Sequence, residues 1–213
     1  MADHILRSAN GKWHLAASIE SDLSLASSLD RLNADIEFSQ TAVGDRWLSH
    51  ALRASESRVL GVEDSGHLVM SSPNPHGGRC LVGDGVASLL AVLCAMSCED
   101  RSPAFTKGFK RRISVSPSNR SKWTGDNDLA NTVEHIATKN LGEMKRSGLV
   151  GESNLMLLEK DGISLGIRNS GTQAKTNVSL RVASGKDYFQ SLEAMEQILA
   201  TLREALSLSL IHI

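Results

Sequence analysis

The stretch "NLMLLEKDGISLGIRNSGTQAKTNVSLRVA" (154–183) decides the fold of the C-terminal half of this chain. Its three apolar runs alternate with polar residues, as expected for β-strands that each bury one face. An Asp-Gly pair (161–162) separates the first two runs, and this dipeptide is typical of a tight hairpin turn. The stretch therefore predicts three consecutive antiparallel strands, with the loop "NSGTQAK" (169–175) joining the second strand to the third.

The segments around these strands complete a small domain. "RRISVSPS" (111–118) predicts a further strand, because apolar and polar residues alternate along it. Helical periodicity predicts two helices, "DLANTVEHIATKNLGEMKRS" (128–147) and "DYFQSLEAMEQILATLREAL" (187–206). We therefore expect an α+β domain over residues 104–207, with a mostly antiparallel sheet and two helices.

The N-terminal half alternates between strand and helix patterns, which predicts an α/β domain over residues 1–103 with helices on a mixed sheet in a three-layer-like arrangement. Its predicted elements are "LAASIES" (15–21, strand), "DLSLASSLDRL" (22–32, helix), "IEFSQTAV" (36–43, strand), "RWLSHALRA" (46–54, helix), "RVLGVEDSGHLVMS" (58–71, strand pair) and "GVASLLAVLCAMS" (85–97, helix). "EDRSPAFTKGFK" (99–110) mixes charges with Pro and Gly, so it predicts the linker between the two domains.

Composition excludes several classes of protein. The formal net charge of -1 leaves no basic surplus for nucleic acid. The N-terminus has no apolar signal region, and the apolar stretch "VASLLAVLCAMSC" (86–98) is too short to cross a bilayer. We therefore expect a cytoplasmic protein with neither a nucleic-acid nor a membrane partner. Cys94 and Cys98 stand four apart in an apolar run, which predicts a buried helix face rather than metal or disulfide chemistry.

The last six residues, "LSLIHI" (208–213), follow the final amphipathic helix without any capping signal. They resemble the translation of an artificial DNA adapter. We therefore expect residues 208–213 to be a non-native tail and exclude them from the argument on the fold.

The loop between the second and third strands has the residue types of an anion site. Backbone N–H groups, hydroxyls and an Arg at 168 could all reach one phosphate, because a guanidinium binds two oxygens at once. Ser, Gly and Thr are equally typical of an ordinary turn. Taken alone, the loop leaves both interpretations open.

Four motifs in order resemble those of the α-D-phosphohexomutases. "RNSGTQAK" (168–175) is similar to the Arg-x-Ser-Gly-Thr-Glu-Pro-Lys phosphate loop of that family's fourth domain. "GVEDSGH" (61–67) is similar to the Gly-Glu-x-Ser-Gly-His sugar-recognition loop of the third domain, and "TAVGDRW" (41–47) to the Thr-x-Val-Gly-Asp-Arg-Tyr segment upstream of it. "GDGVASLLAVLCAM" (83–96) is similar to the closing helix of the third domain. The resemblance covers nearly all of the chain.

The resemblance implies a division of labour between the two domains. A phosphohexomutase interconverts hexose 1-phosphate and hexose 6-phosphate through a phosphoserine, so it must hold both sugar hydroxyls and a phosphate. The residues implied in sugar binding are Glu63, Ser65, His67, Gly44 and Arg46. The residues implied in phosphate binding are Arg168, Ser170, Gly171, Thr172 and Lys175.

Several of these positions also have a purely structural interpretation. His67 begins an apolar run, so a structural hydrogen bond is an alternative to a role beside the sugar. Asp45 is expected to cap the helix that follows it, and Asp84 is expected to be a helix N-cap rather than a metal ligand. Lys175 and Arg181 are alternatively exposed strand cations, with Lys175 the better candidate for the phosphate loop.

The chain also departs from the family pattern. The family's Glu-Pro after Ser-Gly-Thr is Gln173-Ala174 here, which removes a charge and a rigid turn residue. Neither the Thr-Ala-Ser-His-Asn-Pro segment of the catalytic serine nor the Asp-x-Asp-x-Asp-Arg loop that holds Mg²⁺ occurs in this sequence. The resemblance therefore implies no catalytic residue and no metal ligand in this chain, although the full-length family enzyme uses Mg²⁺.

We therefore expect the chain to be an inactive C-terminal fragment of a phosphohexomutase that binds a hexose phosphate and whose partners are the missing N-terminal domains. The alternatives are a stand-alone, non-catalytic sugar-phosphate-binding protein or one half of a split mutase. An α/β protein unrelated to sugars remains if the four motifs are a coincidence. The sequence leaves the hexose open among glucose, mannose and glucosamine.

Overall fold

A computed structural model describes residues 2–7, 9–97 and 105–207. The chain divides into two compact units, Met1–Lys107 and Gly108–Ile213, which are described separately below. The predicted boundary at residues 103 and 104, residues 99–104 of the predicted linker, Cys98 and the predicted tail at 208–213 lie outside the described residues. Residues 109 and 110, the end of the predicted linker, instead begin a strand.

The first unit alternates helices and strands along the chain. In order, its elements are α1 (Ala2–Arg7), β1 (Lys12–Ser18), α2 (Ser24–Ser27), a 3-10 turn (Leu29–Arg31), β2 (Asp35–Thr41), α3 (Asp45–Leu52), β3 (Arg58–Val62), β4 (Leu68–Pro73), β5 (Arg79–Gly83) and α4 (Gly85–Met96).

The five strands of the first unit form one mixed sheet in the order β2-β1-β3-β4-β5. β2, β1 and β3 are parallel, whereas β4 and β5 each run antiparallel to their neighbour. The register pairs Ser18 with Thr41, and Ala17 with Val62, at the carboxyl ends of the parallel strands. The loops that follow β1, β2 and β3 therefore leave the sheet at one edge, which is where open α/β sheets commonly bind ligands.

Both faces of this sheet are buried, as the three-layer prediction requires. Along β1, Leu15 and Ala17 pack into one apolar cluster and Ala16 into another, because successive side chains point to opposite faces. The first cluster includes Leu6, Leu25, Leu29, Leu60 and Leu68, and the second includes Leu48, Leu52, Val59 and Val69. The predicted α/β class with helices on a mixed sheet is confirmed.

Helix α4 differs from its prediction. Its sequence is apolar throughout, yet none of its residues is buried. The exposed side chains include Val86, Leu89, Leu90, Leu93 and Met96. Cys94 is exposed as well, so the prediction that it lies on a buried helix face is wrong. A uniformly apolar helix indicates burial only where another surface covers it, and within the described residues α4 packs chiefly on α1 and β4.

The second unit is a meander with two helices. In order, its elements are β6 (Phe109–Val115), a 3-10 turn (Arg120–Lys122), α5 (Asp128–Leu141), β7 (Lys145–Leu149), β8 (Glu152–Lys160), β9 (Ile163–Asn169), β10 (Thr176–Val182) and α6 (Phe189–Leu206). The sheet order is β6-β10-β9-β8-β7, and every pairing is antiparallel. The predicted small α+β domain with an antiparallel sheet and two helices is confirmed.

The core of the second unit lies between the sheet and the two helices. The strands contribute Met156, Leu158, Leu165, Ile167, Val178 and Leu180, and the helices contribute Val133, Ala137, Met195, Ile198, Leu199 and Leu202. The only tryptophan of this half of the sequence, Trp123, has no solvent exposure and donates its Nε1–H to the carbonyl of Asn154 at 2.9 Å. This ring anchors the segment after β6 to the strand β8.

Helix α5 ends earlier than its apolar pattern suggests. The pattern predicts a helix to residue 147, but the helix stops at Leu141 and the following residues form β7. Gly142 has φ of 78°, a left-handed conformation that terminates helices readily at glycine. The C-cap glycine, which the apolar pattern does not indicate, therefore accounts for the earlier end of α5.

Two further differences concern the first unit. The predicted helix at 22–32 is instead the single turn of α2 followed by a 3-10 turn, with Asp22 accepting the Ser24 N–H at 2.8 Å. Strand β5 and helix α1 were not predicted. The hairpin of β3 and β4 and the helices α3 and α4 occur where the sequence places them.

Among the described residues, no helix combines the length and the apolar character needed to cross a membrane.

Candidate functional site

Two loops of the first unit meet at the carboxyl edge of its parallel strands. Gly44 follows β2 and precedes α3, with φ of 123°, a conformation that side chains rarely adopt. Glu63 follows β3, and its Oε1 accepts a short hydrogen bond from the Gly44 N–H. The two motifs that the sequence singled out, around residues 41–47 and 61–67, are therefore joined by a direct contact between a backbone amide and a carboxylate.

The turn after β3 also holds the second carboxylate oxygen of Glu63. The Ser65 hydroxyl donates to Glu63 Oε2 at 3.1 Å. The Glu63 N–H donates to the His67 carbonyl at 3.0 Å, and the Gly66 N–H to the Glu63 carbonyl at 3.1 Å, which closes the turn. A carboxylate oxygen can accept two hydrogen bonds, and the Gly44 amide and the Ser65 hydroxyl supply one to each oxygen of Glu63. The carboxylate is therefore oriented by the protein and keeps acceptor capacity for a ligand.

His67 and Asp45 lie close to the Glu63 carboxylate and contact each other. His67 Nδ1 lies 3.1 Å from Asp45 Oδ1, although His67 remains largely exposed. Beside them is a cavity of about 270 Å³, lined by Asp45, Gly66, His67, Leu68, Gly83, Asp84, Gly85 and Ser88. His67 therefore has the structural hydrogen bond of the alternative interpretation and also lines an open cavity.

Two acidic residues have different roles from each other. Asp84 caps α4, because its Oδ1 accepts the N–H groups of Val86 at 2.9 Å and Ala87 at 3.0 Å, as the sequence predicts. The prediction that Asp45 caps α3 is wrong: Asp45 is the first helical residue and Gly44 is the N-cap. The Asp45 side chain is turned toward His67 instead, a contact that spans 22 residues and that local sequence could not indicate.

Arg46 is exposed and does not join the contacts of Glu63. Its guanidinium carbon lies 4.9 Å from the centroid of the Trp47 ring, which is a cation–π arrangement. The structure thus brings Gly44, Glu63, Ser65 and His67 into one group of contacts and places Arg46 on the neighbouring helix surface.

In the loop between β9 and β10, two backbone amides are directed at the hydroxyl of Ser170. Ser170 is buried, and its Oγ accepts the N–H of Thr172 at 3.4 Å and of Gln173 at 3.3 Å. The Ser170 N–H donates to the Lys175 carbonyl at 2.9 Å, which closes the loop between β9 and β10. These contacts form a serine turn, in which two adjacent amides are directed at the same side-chain oxygen.

Gly171 contributes to this loop by its small size rather than by an unusual backbone. Unlike Gly44 or Gly142, Gly171 does not have a positive φ. A Cβ built on Gly171 meets no described atom within 4 Å, so the space beside the loop is open. A larger side chain at position 171 would extend into this open space beside the loop.

Arg168, Lys175 and Arg181 differ in their burial and in their contacts. Arg168 stands at the end of β9 with 15% of its side chain exposed, and its Nη1 lies 3.6 Å from Glu152 Oε1. Lys175 is half-buried at the end of the loop. The interpretation of Arg181 as an exposed strand cation is wrong, because its side chain is buried and Nη2 donates to Ser164 Oγ at 2.7 Å.

The segment of residues 116–123 contacts the loop between β9 and β10, and the sequence does not indicate this contact. The Arg120 Nη1 donates to the Ser170 carbonyl at 2.6 Å, and the Ser118 N–H donates to the Ala174 carbonyl at 2.9 Å. These contacts join residues about 50 positions apart. The available signal was an Arg within a short run of Ser, Pro and Asn after a strand, which by itself indicates only a turn.

A metal is the least well supported ligand of these residues. One donor atom each of Asp45, Glu63 and His67 lies within 4.8 Å of the others. Mg²⁺ takes oxygen ligands in octahedral geometry, whereas this group includes an imidazole nitrogen. All three residues already take part in hydrogen bonds, Glu63 with the Gly44 amide and His67 with Asp45. These residues do not fit the Mg²⁺ that the family resemblance implies, so we derive no step through a metal.

The fold defines a class of protein: an α/β/α unit with a mixed sheet and the Glu63 loop at the carboxyl edge of its parallel strands, followed by a unit with an antiparallel sheet and two helices. The family model for the phosphoglucomutase/phosphomannomutase alpha/beta/alpha domain III matches residues 1–107. The chain belongs to the phosphoglucomutase/phosphomannomutase family, as the four motifs predict.

Similar proteins agree with this assignment. The phosphoglucosamine mutase of Alkalilimnicola ehrlichii is 36% identical over 100 residues, which cover 46% of this chain and 20% of that protein. The phosphoglucosamine mutase of Paraburkholderia phymatum is 27% identical over 180 residues, which cover 82% of this chain and 33% of that protein. The matched part of the chain thus spans only a fifth to a third of the length of these curated relatives.

A solved structure agrees in fold over both units. The phosphoglucomutase/phosphomannomutase family protein of Burkholderia thailandensis matches with a TM-score of 0.58 and 11% sequence identity. The match covers 97% of this chain and 43% of that one. At this identity the match shows a shared fold.

Proposed function

We propose that this chain is the substrate-recognition part of a phosphohexomutase, the enzyme class that interconverts hexose 1-phosphate and hexose 6-phosphate. The first unit binds sugar hydroxyls and the second binds the phosphate group. The observation that carries the proposal is the Glu63 carboxylate, which is oriented by the Gly44 amide and the Ser65 hydroxyl at the ligand edge of a family-matched α/β/α unit.

The chemistry of Glu63 suits a sugar. An ionised carboxylate only accepts hydrogen bonds, so it pairs with hydroxyl groups and repels phosphate. The Gly44 amide and the Ser65 hydroxyl occupy one acceptor position on each oxygen and hold the carboxylate at a fixed orientation. Ser65 and His67 lie beside it and are exposed, so both can contact the same sugar.

The chemistry of the second unit suits a phosphate. The Thr172 and Gln173 amides are directed at the Ser170 Oγ, and a phosphate oxygen beside that hydroxyl would receive the same donors. Arg168 and Lys175 flank the loop and supply positive charge. The loop thus has the donors of the family phosphate site, with Gln173 and Ala174 in place of Glu-Pro.

We further propose that the chain does not turn over its substrate by itself. Phosphoryl transfer depends on a nucleophile and on a group that neutralises the transferring phosphate. The serine segment and the aspartate loop of the family are absent from the printed sequence, and the described acidic residues do not fit Mg²⁺. The chain would contribute recognition to a longer enzyme or to one assembled from two chains. The cytoplasm remains the proposed compartment.

Glucosamine phosphate is our first choice among the hexose phosphates. The relatives from Alkalilimnicola ehrlichii and Paraburkholderia phymatum are named phosphoglucosamine mutases. An ammonium group on the sugar would also pair favourably with a carboxylate such as Glu63. Glucose and mannose phosphates remain the alternatives, and titrating the chain with all three ranks them directly.

The replacement Glu63→Gln tests the division between the units. We expect it to weaken binding of hexose 6-phosphate by about 1 to 3 kcal/mol, because substrate hydroxyls lose a charged acceptor, while the affinity for inorganic phosphate stays near wild type. Amide NMR titrations of the 213-residue chain measure both affinities and remain accurate for weak binding.

Glu56→Gln is the matched control for this test, because it makes the same chemical change at an exposed position of the first unit. It should leave both affinities unchanged. If Glu63→Gln weakened inorganic phosphate as much as the sugar phosphate, the sugar-binding role of Glu63 and Ser65 would be wrong.

A further inference from the structure

The segment of residues 116–123 is attached to the loop of residues 170–175, which we call the anion loop, and to the flanking strand residues Asn169 and Thr176. The Ser118 N–H donates to the Ala174 carbonyl at 2.9 Å, and the Ser118 and Thr176 hydroxyls are 3.0 Å apart. The Asn169 Nδ2 donates to the carbonyls of Arg120 and Trp123, each at 2.9 Å. The position of Arg120 relative to the anion loop is therefore set by contacts on both sides of it.

The Arg120 guanidinium itself lies on the anion loop. Nη1 donates to the Ser170 carbonyl at 2.6 Å, and the side chain is otherwise exposed. In residues 2–7, 9–97 and 105–207, no carboxylate is recorded within ion-pair distance of Arg120, whereas Arg168 lies 3.6 Å from Glu152. A guanidinium has five N–H donors, so most of those of Arg120 remain available.

We propose that Arg120 is a phosphate-binding residue of the anion loop, and that its ligand is the dianion of a phosphate monoester. The inference rests on the proposed function of that loop. Two observations support it. The guanidinium is anchored on the Ser170 carbonyl and keeps further N–H donors for an anion, and the Thr172 and Gln173 amides are directed at the hydroxyl of the same residue.

Arg120→Gln tests this role with inorganic phosphate as the probe and the full 213-residue chain as the protein. We expect the dissociation constant, followed by the Gly171 amide signal in NMR, to rise about tenfold, because a charge-assisted contact is lost. Arg111→Gln is the matched control: it removes the same charge from an exposed pair with Glu196 in the same unit and should change the constant less than about twofold.

Salt and a conservative variant separate binding from a purely structural brace. A direct ionic contact is screened, so the ratio of the Arg120→Gln and wild-type constants should fall toward one between about 0.02 M and about 0.5 M salt. Arg120→Lys keeps the charge and should recover most of the affinity at low salt. A ratio independent of salt, or equal losses for the Lys and Gln variants, would mean that Arg120 only shapes the loop and would overturn the inference.

Failure of the proposed function gives a different result. If inorganic phosphate moved no anion-loop amide in the wild-type chain, the phosphate role of the whole loop would be wrong, and Arg120 would lose its ligand with it. If the wild type binds phosphate and Arg120→Gln behaves like Arg111→Gln, the anion loop keeps its role and only the assignment of Arg120 fails.

Discussion

Trp123→Ala is expected to lower the free energy of unfolding of the second unit by about 3–5 kcal/mol, the range for removing a fully buried aromatic side chain. Trp123 has no exposed surface and packs in the main cluster of that unit. Its Nε1–H also satisfies the Asn154 carbonyl at 2.9 Å. The variant therefore loses apolar contacts and leaves a cavity and an unpaired carbonyl.

Urea unfolding followed by circular dichroism measures this change. Trp47→Ala is the control, because Trp47 is only half-buried and lies in the first unit. Trp123→Phe should lie between wild type and Trp123→Ala, since it keeps a ring but not the indole N–H. A loss below about 1 kcal/mol for Trp123→Ala would show that Trp123 is not packed as described.

Arg168→Ala is the second change with a large expected effect. We expect it to weaken the binding of inorganic phosphate and of hexose phosphate by on the order of 2 kcal/mol or more, because a guanidinium that can bind two oxygens is removed from the end of the anion loop. The same change leaves the Glu152 carboxylate, of which 13% is exposed, without the cation 3.6 Å away. A repulsive charge near the loop adds to the loss.

Glu152→Gln makes the complementary test. It removes the competing carboxylate and keeps Arg168, so phosphate should bind as tightly as in the wild type or more tightly. Calorimetry or NMR titration of the two variants therefore gives opposite signs. Wild-type phosphate affinity in a folded Arg168→Ala chain would withdraw Arg168 from the site.

The sequence predicted those elements whose pattern is local. The turn at Asp161-Gly162 indicates the hairpin of β8 and β9 because that dipeptide adopts positive φ readily, and both residues do so here. The end of α5 at Leu141 was missed because the residues after Gly142 continue the helical pattern of apolar positions. The pattern reports the spacing of apolar residues and not the backbone angle that stops the helix.

The residues of the candidate site likewise fall into two groups, those that local motifs indicate and those whose contacts depend on the packing of distant segments. Glu63, Ser65 and Gly44 lie in short motifs that each resemble one family segment, so the sequence alone proposes them as site residues. The contacts of Asp45 with His67 and of Arg120 with Ser170 are not predictable from local sequence, because they depend on the packing of distant segments. The exposure of α4 was missed for a related reason, since an apolar sequence does not state which surface covers it.

The position of the anion loop within its sheet also determines how a ligand would act on the whole unit. The loop joins β9 and β10, and each of these strands is paired on both sides, so neither is an edge strand. Interior strands exchange their amide hydrogens mainly when a domain unfolds globally, whereas loops exchange through small local openings. An anion bound at this loop, as we propose, would be released when β9 and β10 separate. Its binding free energy would therefore add to the global stability of the second unit, and protection from exchange would increase throughout the sheet rather than at the loop alone.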